Sequence, residues 1–265
     1  MSLGRPSEPP AASGAGSTRP TGSVRLTVLP PHACSYLPGR SATLQAFATH
    51  RLAPEVYHDL MNAGFRRSGR MVYRPVCVGC QLCVPIRVPV DRFQPDKGQR
   101  RCERRNADLS VSVGAPVPTD EKFDLYQRYL TQWHEKPGDG DAAPGDGEAR
   151  ASFEAFLYVS PVETVEFTYR DPDGRLLAVG IADVSSRSFS SVYFYFDPEH
   201  RHRGLGTFGA LREIAWAARA GIPHYHLGYW VDGCRKMTYK NNFRPFELLR
   251  ADGAWESPEA DDVLK

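Results

Sequence analysis

The sequence predicts a mixed α/β (α+β) fold, in which a large domain with a mixed sheet follows a smaller, basic domain that carries a cysteine cluster. Three observations carry this reading. Between residues 107 and 250, short runs of strand-like alternation interleave with runs of helical period. One strand-like run ends in a loop rich in glycine and arginine that leads into a helix. Residues 25–105 hold 14 Lys and Arg against 5 Asp and Glu, a net +9, whereas residues 106–265 carry a net −8. That asymmetry points to a basic surface facing nucleic acid or acidic lipid, and the excess of Arg over Lys favours bidentate phosphate contacts. With 265 residues, 41% of them hydrophobic, the chain has enough apolar material for one large or two small cores.

Taken in order, residues 1–23 are dominated by Ser, Gly, Pro, Ala and Thr and read as a disordered tail, because they bury too little apolar surface to offset the entropy of ordering. The basic domain spans 24–106. Its first strand is expected at Val24–Val28, and a helix at Pro54–Ala63 pairs Val56 with Leu60 and Tyr57 with Met61 before Gly64 stops it. A hairpin follows around Ser68-Gly69, then a strand at Ile86–Val90. The second domain spans 107–250. It opens with a strand at Leu109–Val113, a helix at Asp120–Trp133 capped by Thr119, and a helix at Ser152–Tyr158. Three strands, Val162–Tyr169, Leu176–Val184 and Ser191–Phe196, precede a helix at Thr207–Ala220, a strand at His224–Gly228 and a last strand near Phe246–Leu249. Residues 136–149, where Gly and Asp alternate, read as a flexible loop and 251–265 as a C-terminal tail. The chain holds no run of about 18 apolar residues and no secretory leader pattern, so a cytoplasmic protein with no membrane partner is expected.

Six cysteines without an export signal are read as reduced thiols or metal ligands. Cys77, Cys80 and Cys83 share one tight loop, and Cys34 lies upstream. Four thiolates suit a tetrahedral structural zinc or an iron–sulfur cluster; the alternative is a set of plain thiols. Cys102 and Cys234 stand outside this set.

The glycine loop contains Pro198, Arg201, Arg203, Gly204 and Gly206 just before a helix. Such a loop lets backbone N–H groups converge on an oxyanion at the positive end of the helix. Its spacing and the surrounding order of elements resemble the GNAT acyltransferase fold, in which this loop holds the pyrophosphate of the acyl donor.

Four segments, residues 34–47, 57–93, 99–109 and 226–249, together resemble the aspartate/glutamate leucyltransferase family, related to the arginyl-tRNA–protein transferases. The match is order-preserving from about Leu29 to Leu249. Gly204 stands where bacterial members often have serine. The resemblance implies transfer of leucine from Leu-tRNA to the N-terminal Asp or Glu of acceptor proteins, which marks them for degradation by the N-degron (N-end rule) route. It also implies that coenzyme A is not the donor. Under this reading Arg66, Arg67, Arg70, Arg74, Arg100, Arg101, Arg104 and Arg105 are candidates for the tRNA backbone. Arg201, Arg203, Gly204 and Gly206 are candidates for the phosphates near its 3′ end, and Arg235, Lys236 and Lys240 for the acceptor carboxylate. The aminoacyl ester is already activated, so orientation supplies much of the catalysis; Glu166, Asp183 and Tyr229 are the candidate proton acceptors. No covalent nucleophile is expected. The alternatives are an arginyl-tRNA–protein transferase, a coenzyme A-dependent N-acetyltransferase and a non-catalytic RNA-binding zinc protein. The sequence leaves the oligomeric state open.

Overall fold

The computed structural model describes residues 24–133 and 146–258. The tail expected at 1–23, residues 136–145 of the expected loop and the last seven residues lie outside the described residues. The basic segment supplies β1 (Thr27–Val28), β2 (His32–Ala33), β3 (Ser41–Ala42), β4 (Leu44–Ala48), α1 (Pro54–Asn62), β5 (Arg66–Ser68), β6 (Met71–Pro75), β7 (Val84–Pro89) and α2 (Lys97–Arg105). Then come β8 (Ser110–Gly114), α3 (Asp120–Trp133), α4 (Asp146–Phe153), β9 (Thr164–Arg170), β10 (Leu176–Val184), β11 (Ser188–Phe196) and α5 (Leu205–Arg219). The chain continues through β12 (His224–Trp230), α6 (Arg235–Thr238), β13 (Glu247–Leu249) and β14 (Trp255–Glu256).

Eight of these strands form one sheet in the order β14-β13-β7-β12-β11-β10-β9-β8, four form a small sheet β1-β4-β6-β5, and β2 and β3 make a ribbon. The large sheet is mixed, because β11 and β12 run parallel while the other pairs are antiparallel. Helix α5 is the crossover between the parallel pair, as the GNAT-like reading requires. Successive side chains of β11 point to opposite faces. Past the bulge at Val192, Tyr193 and Tyr195 pack on Tyr126 of α3 while Phe194 lies against Gly209 of α5; before it, Phe189 stacks on Trp216 of α5 with ring centroids 4.6 Å apart. Both faces are therefore covered, which is why β10 is buried over Leu176–Asp183.

Two expected boundaries move. The basic segment is not a separate layer up to residue 106, because β7 lies inside the large sheet between β12 and β13, with Tyr225 opposite Val88 and Leu248 opposite Ile86. Ile86 and Val88 are fully buried there, and an apolar strand of this kind is stable only with a partner on each side. Residues 251–265 are not a tail throughout, since β14 pairs with β13 and the Trp255 ring lies 4.2 Å from the Arg87 guanidinium. The helix expected at 152–158 starts at Asp146 and ends in a π-helical turn at Glu154–Tyr158. Helix α2, masked in the sequence by its polar composition, is held by a capping box between Asp96 and Gln99. No helix among the described residues is long and apolar enough to cross a membrane.

Candidate active site

Strands β11 and β12 pair at Ser188 with His224, Phe189 with Tyr225 and Ser190 with His226, and then part. Each takes an extra residue just past the last shared pair. Val192 is bulged on β11 relative to β10, and β12 gains one residue on β7 between His226 and Tyr229. A bulge bends and re-aims its strand. The two strands consequently form a fork open at their C-terminal ends, the edge at which open α/β sheets hold ligands. Gly228, at φ +81°, sits within the bulge of β12, in a left-handed conformation that only glycine adopts without strain.

Two cations meet at this fork, and a carboxyl group lies on its α5 side. Arg66 enters from β5; its Nη1 donates to Ser190 Oγ at 2.5 Å and its Nη2 to the carbonyl of Ser191, the first residue past the shared pairs. Lys240 is 7% exposed and its Nζ donates to the carbonyl of Tyr229 at 2.7 Å. Burial, and next the charge of Arg66, push its amine down to about 7. From the α5 face Tyr225 donates to Glu213 Oε2 at 2.5 Å. Burial pushes the Glu213 carboxyl up to about 7, with Tyr225 and Ser191 acting in the opposite direction.

The glycine loop lies at the same edge of the sheet, directly after β11. Asp197, fully buried, anchors it by accepting from the Glu199 amide at 3.1 Å and Arg175 Nη2 at 2.6 Å. Gly204 opens α5 at φ +71°, ψ +41°, where serine would be strained. Helix α2 is fastened to the loop: Arg105 Nη1 donates to the His202 carbonyl at 2.6 Å, and Asn106 Nδ2 to the Arg203 carbonyl at 3.0 Å. The Cys102 thiol lies 3.4 Å from the Gly204 carbonyl. Arg101, Arg104 and Arg201 are exposed and have no side-chain partner among the described residues.

Several expected roles are redistributed. Arg67 does not face tRNA, because its guanidinium is buried in a bidentate pair with Asp183. Asp183 also accepts from Tyr57 and Thr164, which makes it a structural anchor instead of a proton acceptor. Glu166 stands two strands from β11, paired with Lys122 and accepting from Tyr158. The Tyr229 hydroxyl donates to the Gly64 carbonyl at 2.8 Å, so its backbone oxygen, not its phenol, faces Lys240. Of the remaining arginines, Arg74 stacks over Phe65 and donates to Gln45, Arg100 donates to the Pro95 carbonyl, and Arg70 is exposed on its turn. Arg203 is bidentate to Asp108 at 2.9 Å. Arg235 and Lys236 are exposed on α6, whereas Lys240 turns inward.

Cys34, Cys77, Cys80 and Cys83 line one cavity of about 240 Å³, beside Tyr36, Tyr73 and Tyr229. All four are half-buried free thiols, and burial followed by the neighbouring thiols pushes Cys83 up to about 12. As a donor set they suit zinc or an iron–sulfur centre. No three His, Cys, Asp or Glu side chains among the described residues are drawn together tightly enough to hold a metal ion as they stand.

The sequence assigns no role to Glu213 and counts Arg66 among the tRNA-backbone candidates, whereas the structure turns Arg66 inward onto Ser190 and Ser191. Glu213 was legible as an anomaly, since it shares the apolar face of α5 with Ala210 and Ala217. Arg66 gave no such signal, because nothing in the chain order places β5 against β11.

Residues 32–101 match the family described as "Arginine-tRNA-protein transferase, N terminus", and residues 121–250 match its C-terminal counterpart. The aspartate/glutamate leucyltransferase of Stenotrophomonas maltophilia (strain K279a) is 45% identical, over 84% of this chain and 89% of that protein. The one from Saccharophagus degradans is 40% identical, over 85% of this chain and 94% of that protein. Among solved structures, a tandem GNAT protein from the clavulanic acid biosynthesis pathway aligns with a TM-score of 0.43 at 12% identity, covering 77% of this chain and 60% of that one. With such identity over most of both chains, the chain belongs to the aspartate/glutamate leucyltransferase family.

Proposed function

We propose that the chain transfers leucine from Leu-tRNA to the N-terminal Asp or Glu of acceptor proteins and so marks them for degradation by the N-degron route. The observation that carries this reading is the fork, bulged on both strands and open at the edge where the glycine loop and α2 present Arg201, Arg101 and Arg104. A polyanionic donor lies along those arginines, with its 3′ end entering the fork. The acceptor α-amine attacks the ester carbonyl; a C–N bond forms, the ester C–O bond breaks, and the 3′ oxygen of the tRNA leaves with a proton. The fork supplies alignment of amine and ester.

Cys34, Cys77, Cys80 and Cys83 are the proposed ligands of a structural zinc or iron–sulfur centre, which would tie the ribbon segment to the loop after β6. Its proposed role is structural.

The test offers the purified protein Leu-, Phe- and Arg-tRNA in parallel, with an Asp-initiated peptide, and reads the product mass. A product heavier by one leucine is expected. Addition of arginine alone, or acetylation from acetyl-coenzyme A without tRNA, would overturn the reading.

A further inference from the structure

The two cations of the fork share an unusual feature. Arg66 is half-buried and Lys240 almost fully buried, yet neither forms an ion pair with a described residue; their hydrogen-bond partners are a hydroxyl and two backbone carbonyls. The carboxylates of the surrounding elements are committed elsewhere, Asp183 to Arg67 and Glu213 to Tyr225. Two neighbouring cations without an ion-pair partner, Lys240 almost wholly out of water and Arg66 partly so, form a site awaiting an anion. The downward push of Arg66 on the Lys240 amine is a consequence of the same crowding.

Resting on the transfer reaction proposed above, we propose that Arg66 and Lys240 together bind the side-chain carboxylate of the acceptor's N-terminal residue and set the preference for Asp and Glu. Distance along the acceptor selects this place. The carboxyl of an N-terminal Asp or Glu is only three or four bonds from the reacting amine, so its reader must stand within one residue of the reacting atoms. Arg66 and Lys240 flank the Gly228-Tyr229 segment inside the fork, whereas Arg235 and Lys236 point outward on α6. Arg66 is also prepared for the role. Two of its N–H groups are used on Ser190 and Ser191, which fixes the head, and its Nε lies 3.4 Å from the place a Cβ at Gly228 would occupy. Glycine there leaves that edge of the guanidinium open. The donor's phosphates have a separate place at the glycine loop and α2, and its ester is uncharged, so the anion missing from the fork is the acceptor's.

The test compares peptides that begin with Asp and Asn in two assays, leucine transfer and direct binding by fluorescence anisotropy without tRNA. Wild type should favour Asp by about ten- to hundredfold in kcat/KM, the range of one charge-assisted hydrogen bond. Arg66→Met should bring the ratio close to unity while Leu-tRNA affinity stays unchanged, and Arg66→Lys should retain part of the preference. Lys240→Met provides a second variant should Arg66→Met fail to fold, and it too should lower the ratio. Variants that lose activity on both peptides equally, or that weaken Leu-tRNA binding with the ratio intact, would overturn the assignment. The binding assay separates this inference from the reaction it rests on. A wild type that transfers no leucine, yet binds the Asp peptide in preference to Asn through Arg66, would refute the proposed reaction and leave the carboxylate site standing.

Discussion

Arg67 and Asp183 face one another as a bidentate pair, Nε to Oδ2 and Nη2 to Oδ1, both at 2.7 Å, with neither side chain exposed. Tyr57 and Thr164 each add a donor to the same carboxylate at 2.8 Å. One group thus joins α1 and β5 to β9 and β10, and it sets where the neighbouring Arg66 enters the large sheet. Removing one partner strands a buried charge at a cost of about 3–5 kcal/mol. Arg67→Ala and Asp183→Ala should each lose that much in urea unfolding, and the double variant Arg67→Met/Asp183→Leu less than either. Single-variant losses below about 1 kcal/mol, the range of exposed pairs, would contradict this role.

Glu213 gives the stability a pH signature. Its ordinary carboxyl value of 4.5 is raised to about 7 in the fold. Below pH 4.5 both states are protonated and the group contributes no slope. Between 4.5 and 7 the unfolded chain releases the proton that the folded chain keeps, so stability falls as pH rises, and above 7 the loss is complete. Glu213→Gln abolishes this term. Relative to wild type the variant should gain about 3 kcal/mol between pH 4.5 and 8, read by urea unfolding at both pH values. An unchanged difference would show that Glu213 ionises normally.

The histidines act in the opposite range. Burial lowers His224 from 6.5 to about 4 and His226 well below 6.5. Their neutral forms belong to the fold, so the stability they contribute is present above pH 6.5 and lost as pH falls toward 4. Because Glu213 works in the opposite direction over the same range, the test is the comparison with wild type: going from pH 7 to pH 5, His226→Gln should rise in melting temperature relative to wild type. An equal change in both proteins would assign the acid sensitivity elsewhere.

Donor binding should follow the free arginines. Arg101→Ala, Arg104→Ala and Arg201→Ala are each expected to lower the slope of log K against log salt for Leu-tRNA by about 0.7 to 0.9, one phosphate apiece. Arg67→Met should leave the slope unchanged, because its guanidinium never reaches solvent. Filter binding across a salt series measures this, and an unaltered slope in all three alanine variants would move the donor off α2 and the glycine loop.

Metal content tests the cysteine loop. Protein purified without oxygen should contain zinc or iron, and Cys77→Ser, Cys80→Ser or Cys83→Ser should lower metal and melting temperature together, because binding energy of a structural metal is partly folding energy. Wild type free of both metals would leave these as plain thiols.

Local chemistry was legible wherever periodicity or a turn residue reported it. Helix α3 behind Thr119, the hairpin at Gly69, and β10 and β11 stand close to where the sequence predicts them. Helix α2 was not legible, because eight of its nine residues are polar or glycine and only the Asp96–Gln99 capping box marks its start. Strands β3 and β4 and the edge strand β14 were equally hidden, being short and stabilised by partners far along the chain.

By itself the sequence determined the chemistry available to this protein: the glycine loop before α5, the excess of arginine in residues 25–105, the four-cysteine set and the family resemblance. These are properties of residue type and spacing along the chain. Only the tertiary structure decided which of two adjacent arginines is a buried latch and which enters the fork. Arg66 and Arg67 point to opposite faces of β5, and strand alternation sends one toward Ser190 and the other toward Asp183, more than 100 residues away. The fork was decided in the same way, by bulges on β11 and β12 that are defined only against β10 and β7. Pairing across such separations depends on the packing of the whole sheet, and no local pattern in a single sequence encodes it.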